Sequence, residues 1–119
     1  MDRRVQTVIT LMREKLEREW SLGELARAVH LSPSRLQHLF KQETGTTPAR
    51  HLRRLRLERA HELLETSALS VKQIMHGVGL KERGHFERAF KRAYGLTPAQ
   101  CRAATLRPPA TPDRRGDGA

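Results

Sequence analysis

Apolar residues recur along the chain at helical spacing, in short bursts separated by polar turns. Val5, Val8, Ile9, Met12 and Leu16 mark an opening helix over about residues 3–19. Leu22, Leu25, Ala26 and Val29 then form an i, i+3, i+4, i+7 stripe, and Val71, Ile74, Met75 and Val78 form it again. Leu36, Leu39 and Phe40 give the inward face of a further helix, as do Phe86, Ala89, Phe90 and Tyr94. Between these blocks, residues 47–66 read as one long helix with Leu52, Leu55, Ala60, Leu63 and Leu64 inward and Arg50, Arg53, Arg54, Arg56 and Arg59 between them. The pattern predicts an all-α protein of about seven helices.

The bursts are two copies of one motif. L-Q-H-L-F-K-Q-E-T-G-T-T-P-A from Leu36 aligns with F-E-R-A-F-K-R-A-Y-G-L-T-P-A from Phe86 at an offset of 50 residues. Upstream, Ser21-Leu22-Gly23-Glu24-Leu25 parallels Ser70-Val71-Lys72-Gln73-Ile74 at an offset of 49. Each copy reads as short helix, tight turn, second helix. Ser21 with Glu24, and Ser70 with Gln73, are spaced as capping boxes. Ser32 followed by Pro33 starts the second helix of the first copy, and Gly45 and Gly95 stop the second helices. Thr47-Pro48 starts the long bridging helix, and Thr97-Pro98 starts a closing helix in which Thr97 and Gln100 can form another capping box.

The reading divides the chain into an opening helix or linker (1–19), a first helix-turn-helix (20–46), a connecting helix (47–66), a second helix-turn-helix with its closing helix (67–107) and a disordered tail (108–119). The tail is rich in Pro, Gly, Arg and Asp and carries no net charge, so the basic excess belongs to the folded part.

That excess changes the picture. The formal charge is +10, from 23 Lys+Arg against 13 Asp+Glu, which favours a polyanionic partner. The apolar runs are too short to cross a membrane, and the first residues lack the apolar core of a signal peptide, so the expected location is the cytoplasm, on the nucleoid. A single cysteine, Cys101, excludes an internal disulfide and a multi-cysteine zinc site, and the six histidines show no metal-ligand spacing. No cofactor or metal is expected. No catalytic triad, paired acids or phosphate-cradling glycine loop is legible, so the chain does not read as an enzyme.

In a helix-turn-helix the second helix enters the major groove of DNA and reads it with polar side chains near its N-terminus. Those positions are Ser34, Arg35, Gln37 and His38 in the first copy, and Arg83, His85, Glu87 and Arg88 in the second. Gln pairs with adenine, Arg with guanine, and Glu accepts from cytosine. Helix N-termini and basic side chains suit phosphate: Ser21, Lys41, Thr47 and Arg50 in the first half, and Ser70, Lys91 and Thr97 in the second. Trp20 and the three phenylalanines read as packing residues, Cys101 as a small packed residue, and His61 and His76 as surface residues.

The arrangement resembles the DNA-binding domain of the AraC/XylS family of bacterial transcription regulators. The resemblance rests on Val78-Gly79-Leu80 followed by Phe86-Glu87-Arg88-Ala89-Phe90-Lys91-Arg92-Ala93-Tyr94-Gly95-Leu96-Thr97-Pro98, and on L-A-R-A-V-H-L-S-P-S-R-L-Q-H-L-F-K-Q-E-T-G from Leu25, and it covers residues 21–102. It implies two helix-turn-helix subdomains joined by a long central helix, with both recognition helices entering successive major-groove segments on one face of the duplex, about 34 Å apart. It also makes RNA polymerase a candidate partner beside double-stranded DNA. Four residues depart from the family pattern: Met75 where alanine is usual, Leu80 for an aromatic, Gly84 for serine and Cys101 for tyrosine. Gly84 weakens the start of the second recognition helix by about 1 kcal/mol, so the first copy is expected to carry more of the specificity.

Many regulators of this kind have a separate sensing domain. None is legible in these residues, so the chain reads either as a short stand-alone regulator or as a piece of a longer one. Two other readings fit the charge: a non-specific basic nucleoid binder, which leaves the varied outer faces without a purpose, and a basic protein-interaction module, for which no spare apolar face is visible.

Overall fold

The computed structural model describes residues 1–106; the tail expected at 108–119 lies outside them. Among the described residues the chain forms seven helices and no strand: α1 (Arg3–Glu14), α2 (Leu22–Ala28), α3 (Pro33–Thr44), α4 (Pro48–Thr66), α5 (Val71–Gly77), α6 (Arg83–Tyr94) and α7 (Pro98–Leu106).

Local chemistry sets most helix ends. Both capping boxes form: Ser21 and Glu24 at α2, Ser70 and Gln73 at α5. At α7, Thr97 N–H donates to Gln100 Oε1 at 2.9 Å and Gln100 N–H to Thr97 Oγ1 at 3.1 Å, a third box. Each cap is worth about 1 kcal/mol. Ser32 and Thr47 cap α3 and α4 ahead of Pro33 and Pro48. Gly45 and Gly95 close α3 and α6 at φ of 82° and 79°, where a side chain would be strained.

Packing produces two cores in a row. Val5, Val8 and Met12 of α1 close over Leu25, Leu36 and Phe40, and Leu52 and Leu55 of α4 complete this first core. Leu57, Ala60 and Leu64 of the same helix enter the second core with Ile74, Phe86 and Phe90, where Cys101 of α7 also packs. At 3.6 residues per turn the two α4 stripes lie about 140° apart around the helix. One helix can therefore end the first unit and begin the second. Each core aliphatic or aromatic side chain contributes about 1.5–3 kcal/mol by leaving water.

Two expectations need correction. The opening helix stops at Glu14 rather than near 19. Carbonyl groups just beyond it are claimed from outside the helix: Trp20 Nε1 donates to Lys15 O at 3.0 Å, and Arg56 of α4 donates to Leu16 O at 2.9 Å and Arg18 O at 2.8 Å. The chain turns there to serve those donors. Trp20 is half-buried against the first core, with the Arg18 guanidinium 4.0 Å from its ring centre. His61 is likewise no simple surface residue, because its ring lies 4.4 Å from that of Tyr94 and 5.9 Å from that of Phe90.

The turn at 15–20 also joins the two units. Gly79, at φ 91°, presses on it so closely that an added Cβ would lie 2.9 Å from Glu17 Cα. Lys81 forms an ion pair with Glu19 beside this contact. Leu16 packs against both cores.

Candidate nucleic-acid interface

The helix-turn-helix of the first unit is α2 and α3, and its turn is made by Val29 to Leu31. His30 takes φ 60° there. The equivalent residue of the second unit is Gly79, between α5 and α6. The left-handed conformation is thus a feature of both turns, met by different residues.

The outer face of α3 carries Ser34, Arg35, Gln37 and His38, all exposed. Ser34, Gln37 and His38 line one shallow concavity with Lys41, Gln42 and Thr47. Five residues assigned to base reading or phosphate contact on sequence grounds therefore share one surface patch. Arg35 and Arg50 are exposed outside it. Ser32 Oγ accepts the Arg35 N–H at 3.1 Å, a neutral cap that leaves the positive helix end uncompensated by any carboxylate cap.

The second unit is organised differently. Glu82 caps α6, its carboxylate accepting Gly84 N–H at 2.6 Å and His85 N–H at 3.1 Å. These bonds hold the Glu82 carboxyl below its ordinary range. Gly84 makes room for this cap: a Cβ at Gly84 would meet Glu82 Oε1 at 2.9 Å and an Arg88 nitrogen at 3.1 Å. The propensity lost at Gly84 is thus offset by a charged cap. Arg83 Nε lies 3.0 Å from Glu87 Oε2 one turn on, so two expected base readers are paired with each other. His85 Nδ1 stands 3.4 Å from Glu82 Oε2.

His85 and Arg88 line a cleft of about 550 Å³ between the units, together with Arg92, Arg53, Arg56 and Lys81. Glu19, Glu82 and Trp20 also border it. Arg92 went unnoticed in the sequence, as did Gln42 at the matching place on α3. The signal was there: Arg92 follows Arg88 by four residues and His85 by seven, which puts the three on one helix face. Arg53 belongs to the arginine run of the bridging helix. Arg56, from the same run, is committed to the carbonyls of Leu16 and Arg18, and burial pulls its guanidinium down from its ordinary value.

Lys41 and Lys91 are exposed at the last turns of α3 and α6, and Ser21 and Ser70 are exposed at the starts of α2 and α5. Thr47 and Thr97 are partly exposed. The capping boxes occupy the backbone N–H of Ser21, Ser70 and Thr97 through the Glu24, Gln73 and Gln100 side chains. A phosphate at these three places would meet the hydroxyl and not that amide.

Comparison with known proteins agrees with this geometry. A family model described as a helix-turn-helix domain matches residues 25–104. The HTH-type transcriptional regulator MtrA of Neisseria gonorrhoeae is 32% identical over 101 residues, which is 85% of this chain and 34% of that protein. The arabinose operon regulatory protein of Escherichia coli is 32% identical over 104 residues, 87% of this chain and 36% of that protein. The chain thus spans about a third of the length of these curated relatives. Among solved structures, an AraC-type transcriptional regulator from Chromobacterium violaceum superposes with a TM-score of 0.82 at 31% identity, covering 89% of this chain and 95% of that one. The DNA-binding domain of AdpA, solved in complex with a target DNA, superposes with a TM-score of 0.79 at 29% identity, covering 85% of this chain and 91% of that one. With two helix-turn-helix units on one shared helix and a family match over most of its length, the chain belongs to the AraC-type helix-turn-helix DNA-binding family.

Proposed function

We propose that the chain is a sequence-specific double-stranded DNA-binding transcription regulator, with α3 and α6 lying in successive major-groove segments. The observation that carries this is the pairing of two exposed, polar-faced helices on one spine, braced against each other through Arg56, Gly79 and the Lys81–Glu19 pair. A braced pair holds two reading heads at one spacing, which non-specific adhesion does not need. The named relatives are transcriptional regulators, and the AdpA domain was solved on a target DNA.

Within this reading Gln37 pairs with adenine, and Arg35 and Arg88 with guanine. His38, Ser34 and His85 contact neighbouring base edges. Lys41, Lys91 and Arg50, with the hydroxyls of Ser21, Thr47, Ser70 and Thr97, take phosphates. Arg83 and Glu87 must exchange their mutual ion pair for base contacts, so α6 contributes less selectivity than α3. The reading assigns no catalysis and places the protein on the nucleoid. RNA polymerase is the further partner it brings.

Binding-site selection from random duplexes, followed by affinity against salt for the winner and a scramble, tests the proposal. Two defined blocks about one helical turn (~34 Å) apart, and much tighter binding to the winner, are expected. Equal affinity for both, with one steep salt slope, would show a charge-driven binder instead.

A further inference from the structure

A second chemistry-bearing cluster lies where α7 meets the far half of α4, behind the C-terminal turns of α6. His61 and Glu65 stand one turn apart on α4, with His61 Nδ1 at 3.6 Å from Glu65 Oε1. Cys101 approaches from α7. The donor atoms of all three lie within 4.8 Å of one another. We propose that His61, Glu65 and Cys101 form a binding site for a divalent transition metal of the zinc class.

The donor set argues for this class. One thiolate, one imidazole and one carboxylate suit zinc, cobalt or nickel, whereas magnesium and calcium take oxygen ligands. Two ligands held at about 2.1 Å in tetrahedral geometry stand roughly 3.4 Å apart, close to the His61–Glu65 separation. Bringing the sulfur into place needs a movement of about 1 Å, within reach of a rotamer change. A solvent molecule would take the fourth position.

The surroundings support it. The His61 ring is held against Tyr94 and Phe90, so its orientation is set before any metal arrives. Cys101 is only 5% exposed, while the Glu65 side chain is 49% exposed. The cluster thus has a dry inner wall and a wet entrance. The adjoining groove is lined by His61, Glu58, Glu62 and Glu65 together with Arg13 and Arg59, and Arg59 pairs with Glu62. A metal bound through the Cys101 sulfur releases the thiol proton to solvent, so binding strengthens as pH rises. Bound there, the metal would pin α7 to α4 and stiffen the second helix-turn-helix.

Cobalt is the probe. Cys101 is the single cysteine, so a thiolate-to-cobalt charge-transfer band can arise nowhere else in the chain. Titration of the reduced chain with Co²⁺ is expected to give a saturable one-to-one band with tetrahedral visible absorption, removed by excess Zn²⁺. Cys101→Ser should abolish the band. His61→Gln and Glu65→Gln, both at positions reached by solvent, should weaken binding about tenfold or more, since even outer-shell partners of metals are worth that much. At one zinc concentration, Zn²⁺ should raise the thermal midpoint of the native chain more than that of Glu65→Gln. Absence of the thiolate band overturns the proposal, and so does a band indifferent to both α4 substitutions.

Discussion

Arg102 on the last helix donates through Nε to the carbonyl oxygen of Leu64 at 2.9 Å, 38 residues back along the chain. Its other nitrogen reaches Leu69 O at 2.7 Å. Arg56 makes the same kind of clasp on Leu16 and Arg18. In each half, a guanidinium from the helix after a helix-turn-helix grips the segment that leads into it. A planar fork with several donors suits two carbonyls at once, and a lysine ammonium does not.

Arg102→Lys and Arg56→Lys are each expected to destabilise the chain by about 1–3 kcal/mol, read by urea denaturation. Arg56→Lys should also weaken binding to a full two-block site more than to a single block, because its clasp lies between the units. Equal losses on both sites would remove Arg56 from the bracing role.

The two helix-turn-helix turns respond oppositely to substitution. His30 adopts φ 60°, so His30→Gly relieves a left-handed penalty of about 1–2 kcal/mol and gives up about 0.5–1 kcal/mol of chain entropy. A net gain of about 0.5 kcal/mol is expected. Gly79→Ala faces the left-handed penalty and a contact with Glu17 backbone, so a loss above about 2 kcal/mol is expected. Thermal melts of the two variants check the pair, and a neutral Gly79→Ala would contradict the close approach.

Selectivity should be unequal between the halves. Gln37→Ala is expected to cost about 1–3 kcal/mol on the selected site and to relax one base position. Arg83→Ala should cost less, because Arg83 is already paired with Glu87. An equal or larger loss at Arg83 would reverse the assignment of α3 as the main reader.

Stability should fall as pH drops below about 6.5. His51 is buried against Phe40, and its Nε2 has no hydrogen-bond partner. Burial first, then the charges of Arg54 and Arg13, hold its pKa below the ordinary 6.5. The unfolded chain therefore takes up a proton there before the folded chain does. The stabilising contribution is complete above 6.5 and is lost as pH falls toward the lowered folded value. His51→Gln should flatten this part of the profile, measured by denaturation at several pH values. An unchanged slope would assign the effect to other groups.

Much of this molecule was legible one segment at a time. Helix starts follow from Ser21, Ser32, Thr47, Ser70 and Thr97, and helix stops from Gly45 and Gly95, because caps act within a few residues. The inward stripes follow from helical periodicity, and the 50-residue offset made the duplication plain. The exposed faces of α3 and α6 are the residues left over once those stripes are buried.

What tertiary structure alone decided concerns groups far apart in the chain. The end of α1 depends on Arg56, some 40 residues away, and periodicity carries no trace of a side chain that will claim a carbonyl. Glu82 caps α6 with a carboxylate that accepts the Gly84 and His85 amides, a use of a long side chain that propensity does not express. His61 is half-buried because Tyr94 packs against its ring, with Cys101 close by. Local sequence determines helices, caps and faces because their hydrogen bonds close within a turn or two. Which turn meets which helix is settled by shape and by buried donors seeking acceptors, and those searches run over the whole chain.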